Sequence, residues 1–230
     1  MLGLVLGTLR LPLIVLATGS PLTAAGTNIA ISAAAAGAGG LAHVRARRVD
    51  WKVVVWTAPP SVVGAVAGAL VADDVSEALL YGLIAAVLVW SGIDLAWRPI
   101  AARPRERLRV ARGGGIAFFI GVLGGAVGVI LGTLRMPALV RSVGLDVRRA
   151  AGTNLVVGFL LGVAGFATHA IGTGVDWDVL AAGLVGAIPG GWLGAKATGR
   201  VSENALRLAL GAVLILVGAV FAVQAAWDQA

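Results

Sequence analysis

The sequence contains no cysteine and few charged residues. The absence of cysteine from 230 residues excludes a disulfide framework and thiolate ligands or nucleophiles. Only 13% of the residues are charged, 59% are hydrophobic and the mean hydropathy is +0.95, which excludes an ordinary soluble domain. The sequence also lacks an ATP-binding P-loop and any cluster of residues with metal-ligand spacing. It therefore predicts neither an enzyme nor a bound metal or cofactor.

Long apolar runs dominate the chain instead. Several are about 20 residues long, the helical length that crosses a bilayer, so the sequence predicts an all-α polytopic membrane protein. Many of the 34 glycines lie inside these runs. Two glycine pairs, Gly64 with Gly68 and Gly190 with Gly194, have the spacing that lets membrane helices approach closely. The net charge of +7 comes from basic residues between the runs, a pattern that indicates topology and no nucleic-acid partner.

One short stretch occurs twice, and each copy places an arginine among apolar residues. Residues 6–12 read LGTLRLP, and residues 131–137 read LGTLRMP, 125 positions later. Each copy contains a glycine and a proline that disfavour a regular helix, and backbone groups freed in lipid need new partners. We therefore expect a broken, re-entrant segment in each copy.

The other landmarks repeat at a constant spacing of 126 residues. They are AAGTN at 24–28 and 150–154, VDW at 49–51 and 175–177, and VSE at 75–77 and 201–203. This repetition predicts a first repeat over 1–97, a basic cytoplasmic linker over 98–112 and a second repeat over 113–230. The glycine-rich stretch 113–125 has no counterpart before Met1, so we expect the first repeat to lack this N-terminal limb.

Each half should contain three full spans after its broken segment. The predicted spans are 24–42, 52–72 and 77–97 in the first half and 150–170, 178–198 and 204–226 in the second. If the broken segment dips into the membrane and returns, the halves are inverted, and every Lys and Arg except Arg10 and Arg135 is cytoplasmic. If it crosses, the halves are parallel and the basic loops of the second half lie outside. The charge distribution favours two inverted repeats, each a re-entrant segment plus three transmembrane helices.

The duplicated arginines are the strongest candidates for an anion-binding site. Helix ends exposed at a break favour anions, and Arg10 and Arg135 would add two forked cationic donors. An arginine in the hydrocarbon normally faces a polar cavity. The alternative is that each arginine reaches the interface or pairs with the backbone of the other half. The remaining candidates for substrate binding in the two copies are Thr8 and Thr133, Gly7 and Gly132, and Pro12 and Pro137.

A second group of candidates opens the spans that follow the two copies. Thr27 and Asn28 belong to one AGTN motif, and Thr153 and Asn154 belong to the other. Short polar side chains at such positions either cap these helices or line the same cavity as the arginines. The sequence leaves both interpretations open.

The duplicated pattern resembles the TauE/SafE sulfite exporter family of bacterial membrane permeases. The resemblance rests on a Gly-rich segment, a proline, AGTN, VDW and a glycine-spaced helix, and it covers nearly the whole chain. It implies transport of sulfur-containing or organic anions, such as sulfite or sulfonates, across the bacterial inner membrane. The chain departs from the clustered glycines that usually precede the proline in this family. It carries Ile130 and Leu131 at the inner glycine positions and adds Arg135.

The predicted function is a secondary membrane transporter for small anions, with its site between the two broken segments. The alternative is a non-transporting integral-membrane assembly or sensor subunit, although the chain offers no extramembrane segment larger than the linker. The expected partners are a small-molecule anion and the lipid bilayer, and a homo-oligomer remains open.

Overall fold

A computed structural model describes residues 2–97, 110–172, 174–196 and 203–227. Within these residues every regular element is a helix, in agreement with the predicted all-α class. The helices are α1 (Leu2–Thr18), α2 (Pro21–Arg45), α3 (Trp51–Val71), α4 (Glu77–Trp97), α5 (Val110–Val127), α6 (Gly132–Pro137), α7 (Val147–Ile171), α8 (Trp177–Lys196) and α9 (Glu203–Trp227). A 3₁₀ turn, Ala72–Asp74, follows α3, and a π-helix, Ala138–Val143, follows α6.

The six predicted spans are all helices. The helices α2, α3 and α4 correspond to the spans of the first half, with Ala72 in the 3₁₀ turn, and α7, α8 and α9 correspond to those of the second, of which 197–198 lie outside the described residues. Two aspartates explain equivalent helix starts: Asp50 accepts from the Val53 N–H at 3.1 Å, and Asp176 accepts from the Val179 N–H at 2.9 Å. Most of the predicted linker lies outside the described residues.

The two copies of the duplicated stretch differ in structure. The first copy lies inside the continuous helix α1, which keeps Pro12 in its interior, so the predicted break in this copy is wrong. In the second half the helix is interrupted at 128–131, so the break ends at the first residue of the second copy. The rest of this copy, Gly132–Pro137, forms α6. Gly128 has a φ of 71° and ends α5 in the left-handed conformation. Its counterpart Gly3 lies in the first turn of α1, where the backbone is already helical.

The equivalent helices α2 and α7 pack against each other in opposite directions. A β-carbon on Gly26, near the start of α2, would lie 3.0 Å from the β-carbon of His169, near the end of α7. The reciprocal contact exists at the other end, where a β-carbon on Gly152 would lie 3.1 Å from that of His43. Glycine at both crossings lets the two backbones approach closely. This antiparallel pair contains the buried polar residues of the candidate site.

The equivalent helices α4 and α9 are also antiparallel. A β-carbon on Gly92, in the last turns of α4, would lie 2.7 Å from the Gly211 carbonyl in the first half of α9. Further along α9, a β-carbon on Gly218 would lie 3.0 Å from that of Leu88, which precedes Gly92. Gly218 follows Gly211 in α9, whereas its partner Leu88 precedes Gly92 in α4, so the two helices run in opposite directions.

The two predicted glycine pairs have different environments. An added β-carbon on Gly64 or Gly68 of α3 would overlap the backbone of α5, which confirms the predicted close approach. For Gly190 and Gly194 of α8, no atom lies within 4 Å of an added β-carbon. Within the described part of the chain, the prediction of a close approach is therefore wrong for the second pair.

Some of the helices have the length and surface that a membrane requires. By length and composition, α3 and the Arg148–Ile171 portion of α7 are suited to crossing a bilayer. Large apolar side chains point outward on several helices, including Leu16, Ile171 and Val185. Such an apolar exterior is stable when lipid surrounds it.

Candidate functional site

Arg10 of α1 is held by two side chains of α2. Its Nε and Nη2 donate to Asn28 Oδ1 at 3.1 and 3.0 Å. Nη2 also donates to Ser32 Oγ at 2.8 Å and to the Asn28 carbonyl at 3.4 Å. Both acceptor residues are buried, so the guanidinium points into the bundle. Protein oxygen atoms therefore fix one edge of Arg10.

Arg135, the counterpart of Arg10, is more deeply buried and has fewer partners. It lies in α6 with 1% of its surface exposed, and its Nη1 donates to Asn154 Oδ1 at 3.2 Å. Among the described residues, no hydrogen-bond acceptor lies within reach of its Nε or Nη2. No carboxylate of the described residues lies within ion-pair distance of Arg135. A buried guanidinium with two unpaired donors and no counter-charge is unfavourable unless a ligand supplies both.

Asn28 and Asn154 join the two arginines to the break. While their Oδ1 atoms accept from the arginines, Asn28 Nδ2 donates to the Gly128 carbonyl and Asn154 Nδ2 donates to the Gly132 carbonyl, both at 2.9 Å. Non-helical backbone at membrane depth needs such partners. Asn28 belongs to the first half and Gly128 to the second, so the first of these bonds crosses between the repeats.

The end of α5, just before the break, is closed by a glycine and a histidine. The Val129 N–H donates to the Gly124 carbonyl at 2.9 Å, and Gly128 between them is left-handed, as in a Schellman motif. His169 Nε2 lies 2.8 Å from the Gly125 carbonyl and must donate, because a carbonyl only accepts. These bonds satisfy carbonyls that the end of a helix leaves unpaired.

Thr27 and Thr153 have a different role from either one predicted. Thr27 Oγ1 accepts from the Asp176 N–H at 2.9 Å, and Thr153 Oγ1 accepts from the Asp50 N–H at 3.0 Å. Each threonine therefore binds the aspartate that caps a helix of the other half. The helices that contain the threonines are capped by other residues at their own N-termini. These two reciprocal bonds, both partly buried, tie the halves together.

The two asparagines lie toward opposite ends of the α2–α7 pair. Ile29 packs against the Gly165 position of α7. At the rise of an α-helix, Asn28 and Asn154 are therefore separated by roughly 18 Å along the helix axes. The two asparagine side chains therefore do not contact each other.

The guanidinium groups reach inward from these asparagines. Arg10 bonds to Ser32, and Arg135 Nη1 lies 3.8 Å from the β-carbon position of Gly158. Ser32 and Gly158 are roughly 8 Å apart along the helix axes, because Ala33 packs against Gly162. The helices α1 and α6 also contact each other. The charged ends of the two arginines thus approach the middle of the pair more closely than the asparagines do.

The structure brings together only some of the predicted candidates. It joins Arg10 to Asn28, and it joins Arg135 to Asn154, which in turn binds the Gly132 carbonyl. Pro12 is half-buried inside α1. The burial and contacts of the remaining candidates lie outside the described part of the structure; they are Gly7, Thr8, Thr133 and Pro137.

Ser32 and Gly158 were not among the sequence candidates. They occupy equivalent positions in the 126-residue repeat, and each lies beside one of the two arginines. A comparison of the two repeats would have found them, because α2 and α7 are otherwise similar and differ at this position. Only one of the two residues carries a hydroxyl.

The chain matches the family described as Sulfite exporter TauE/SafE over residues 1–221. The chain belongs to the TauE/SafE family. A relative of this TauE/SafE protein, "Probable membrane transporter protein YunE" of Bacillus subtilis (strain 168), is 26% identical over 219 residues, covering 86% of this chain and 80% of the relative. A "Probable membrane transporter protein" of Xylella fastidiosa (strain 9a5c) is 29% identical over 230 residues, covering 95% and 87%. No solved structure matches.

Membership of TauE/SafE confirms the resemblance noted in the repeated motifs. It makes the chain a membrane transporter and not an enzyme, in line with the names of the two relatives. The arginine–asparagine pairs are therefore polar groups buried inside the helical bundle of a TauE/SafE transporter.

Proposed function

We propose that this TauE/SafE chain is a multi-pass secondary transporter of the bacterial inner membrane that carries small oxyanions, such as sulfite or sulfonates. The observation that carries the proposal is Arg135, whose buried guanidinium has two unpaired donors and no carboxylate partner among the described residues. An anion supplies both the missing acceptors and the missing counter-charge. The family name, sulfite exporter, supports sulfur oxyanions as the substrate class.

The position of Arg135 beside the break also supports transport. Transporters place their binding sites at interrupted helices, where backbone groups and side chains line a polar path. Here Asn154 bonds to both Arg135 and the Gly132 carbonyl, so any movement of the break moves the asparagine that holds the arginine. These two bonds support the proposal that anion binding is coupled to the conformation of the break.

We further propose that the repeats, 1–97 and 113–230, are inverted in the membrane and joined by a cytoplasmic linker over 98–112. Two pairs of equivalent helices, α2 with α7 and α4 with α9, run antiparallel. Equivalent helices run antiparallel when one half is turned over relative to the other. The basic residues of the linker also favour the cytoplasmic side.

Flux measurements test the proposed transport. The full chain is reconstituted into proteoliposomes, and uptake is measured for radiolabelled sulfite, taurine, sulfate and chloride. We expect saturable flux of sulfite or taurine above that of protein-free liposomes, and its loss in Arg135→Gln at equal amounts of folded protein. If folded protein carries none of these anions, the alternative of a non-transporting assembly or sensor subunit is favoured.

Single cysteines test the inverted topology, because the native chain has none. With inverted halves, cysteines at Asp74 and Asp178 should label from outside, and cysteines at Arg47 and Arg149 should label from the cytoplasm. With parallel halves, the two positions of the second half exchange sides. Labelling of Arg47→Cys and Arg149→Cys from opposite faces would contradict the inverted arrangement.

A further inference from the structure

Arg10 shows which guanidinium donors act together. Its Nε and Nη2 both donate to Asn28 Oδ1, at 3.1 and 3.0 Å, so these two N–H groups share one edge of the planar group. Ser32 Oγ is a further acceptor for Nη2 at 2.8 Å. In the first half, protein oxygen atoms therefore occupy this two-donor edge.

The same edge of Arg135 has no acceptor. Asn154 Oδ1 bonds to Nη1, at 3.2 Å, and the atoms left without a hydrogen bond are Nε and Nη2. Because the side chain is almost completely buried, bulk water does not replace the missing acceptors. The second half thus presents, inside the protein, the same fork that binds an oxygen atom in the first half.

One pair of equivalent residues contributes to this difference. Ser32 lies beside Arg10, while its repeat counterpart is Gly158, which has no hydroxyl to offer Arg135. A β-carbon on Gly158 would lie 3.8 Å from Arg135 Nη1 and 2.9 Å from Ile130 Cγ2. A serine at this position would therefore place a hydroxyl within reach of the guanidinium. Glycine adds no acceptor here to the one that Asn154 Oδ1 supplies to Nη1.

We propose that Arg135 alone receives the transported oxyanion, through its Nε–Nη2 edge, and that glycine at position 158, beside Nη1, keeps a competing hydroxyl away from the guanidinium. Arg10 is a structural tie between α1 and α2. This proposal rests on the proposed function and specifies how its site recognises a substrate. A guanidinium edge binds an anion that presents two oxygen atoms, such as sulfite or a sulfonate, through two parallel hydrogen bonds. A halide has only one acceptor atom and gains less from the fork.

Calorimetric titration of the purified full chain in lipid nanodiscs tests this proposal. The probes are sodium sulfite and sodium methanesulfonate, with sodium chloride at equal ionic strength as the control. We expect one oxyanion site per chain, and binding weakened about tenfold or more in Arg135→Gln and in Gly158→Ser. Gly158→Ala adds the β-carbon without the hydroxyl and should weaken binding less. Arg135→Lys keeps the charge without the fork and should restore only part of the affinity.

The variants of the first half provide the matched comparison. Arg10→Gln and Ser32→Ala should lower thermal stability, while the folded protein keeps wild-type affinity for the probes. Two sites per chain, no binding of either probe, or equal losses in Arg10→Gln and Arg135→Gln would overturn the proposal. Wild-type affinity in folded Gly158→Ser would also overturn it. If Gly158→Ser does not fold, wild-type affinity for the probes in Arg135→Lys would overturn the proposal instead.

Binding and flux together separate this inference from the proposed function. If oxyanion binding depends on Arg135 but the liposomes show no flux, the transporter proposal fails and the inference stands. If the liposomes show flux while Arg135→Gln binds the probes like the wild type, the inference fails and the transporter proposal stands.

Discussion

Arg10, in the first half of the chain, makes more hydrogen bonds than its counterpart Arg135 in the second half. Arg10 and Arg135 occupy the same position in the duplicated LGTLR words, and each meets the asparagine of the following AGTN motif. Arg10 donates four hydrogen bonds to Asn28 and Ser32, whereas Arg135 donates one, to Asn154. The arginine and asparagine of the first half thus hold α1 and α2 together, whereas the arginine of the second half keeps two donors for a ligand.

This difference is local, because other contacts kept the symmetry of the repeat. Thr27 and Thr153 make reciprocal bonds across the two halves, and the aspartates they bind cap equivalent helices. The halves diverge where the break separates α5 from α6. Four sets of variants test this difference between the two halves.

The largest effect is expected for Gly128→Ala, because it alters the break that only the second half contains. Gly128 has a φ of 71°, and an added β-carbon would overlap the backbone of Ala25. We expect a loss above about 3 kcal/mol in the free energy of unfolding, or no folded protein. Thermal unfolding in detergent measures this loss.

The matched control for this variant is Gly19→Ala. Gly19 has a φ of 69°, but no atom lies within 4 Å of an added β-carbon. Its substitution should therefore lower the free energy of unfolding by only about 1–2 kcal/mol, the strain of a left-handed backbone. Equal losses in the two variants would show that contact with Ala25 does not hold the break.

The next effect separates the two asparagines. Asn28→Leu removes the main acceptor of Arg10 and leaves the Gly128 carbonyl unpaired, so the free energy of unfolding should fall by about 3 kcal/mol or more. Asn154→Leu removes one arginine bond and one carbonyl bond and should cost about 2 kcal/mol. The same unfolding measurement compares them, and a larger loss for Asn154→Leu would reverse the proposed division of roles.

The two threonines should have smaller and equal effects. Thr27→Val and Thr153→Val each leave a partly buried aspartate N–H without its acceptor, which should lower the free energy of unfolding by about 1–2 kcal/mol. Thr168→Val is the control, since its hydroxyl bonds only to the Ala164 carbonyl one turn earlier, and its loss should stay below about 0.5 kcal/mol. Clearly unequal losses at the first two positions would show that the halves are not tied symmetrically.

The smallest effect is expected for Ser32→Ala. Arg10 loses its bond to Ser32 Oγ but keeps its bonds to Asn28, so the free energy of unfolding should fall by about 1 kcal/mol. A loss as large as that of Asn28→Leu would mean that Ser32, and not the asparagine, holds Arg10 in place. Thermal unfolding of the two single variants and the double variant distinguishes these cases.

The six long helices after the duplicated stretches could be predicted from the sequence. Each comes from an apolar run, and three of them begin at an aspartate that caps the first turn. The position of the break could not be predicted in the same way. The glycine and proline of the duplicated words lie within helices, while the break begins at Gly128, which packs against Ala25 more than 100 residues away. Local helix preference does not contain that contact.

The main polar residues of the candidate site could be identified from the sequence, but their hydrogen-bond partners could not. The repeat alone identified both arginines and both asparagines, because polar residues at equivalent places in apolar segments need a reason to be there. The two threonines were predicted either to cap their own helices or to line the cavity of the arginines, and their hydroxyls accept from the aspartate N–H groups at the starts of α8 and α3. Hydroxyl groups accept from whichever N–H the packing brings near, and a residue's sequence neighbours do not specify that donor.

The amino-acid sequence alone predicts the all-α membrane class, the repeated motifs and the six long helices. These follow from composition and from a constant spacing, which need no knowledge of distant contacts. Packing between helices placed Asn28 and Ser32 against the Nε–Nη2 edge of Arg10 and left the same two donors of Arg135 without an acceptor among the described residues. The physical reason is that both arginines stand in nearly identical sequence words, whereas hydrogen-bond acceptors are assigned by packing between helices. Ser32 reaches one guanidinium, and Gly158 offers no side chain to the other.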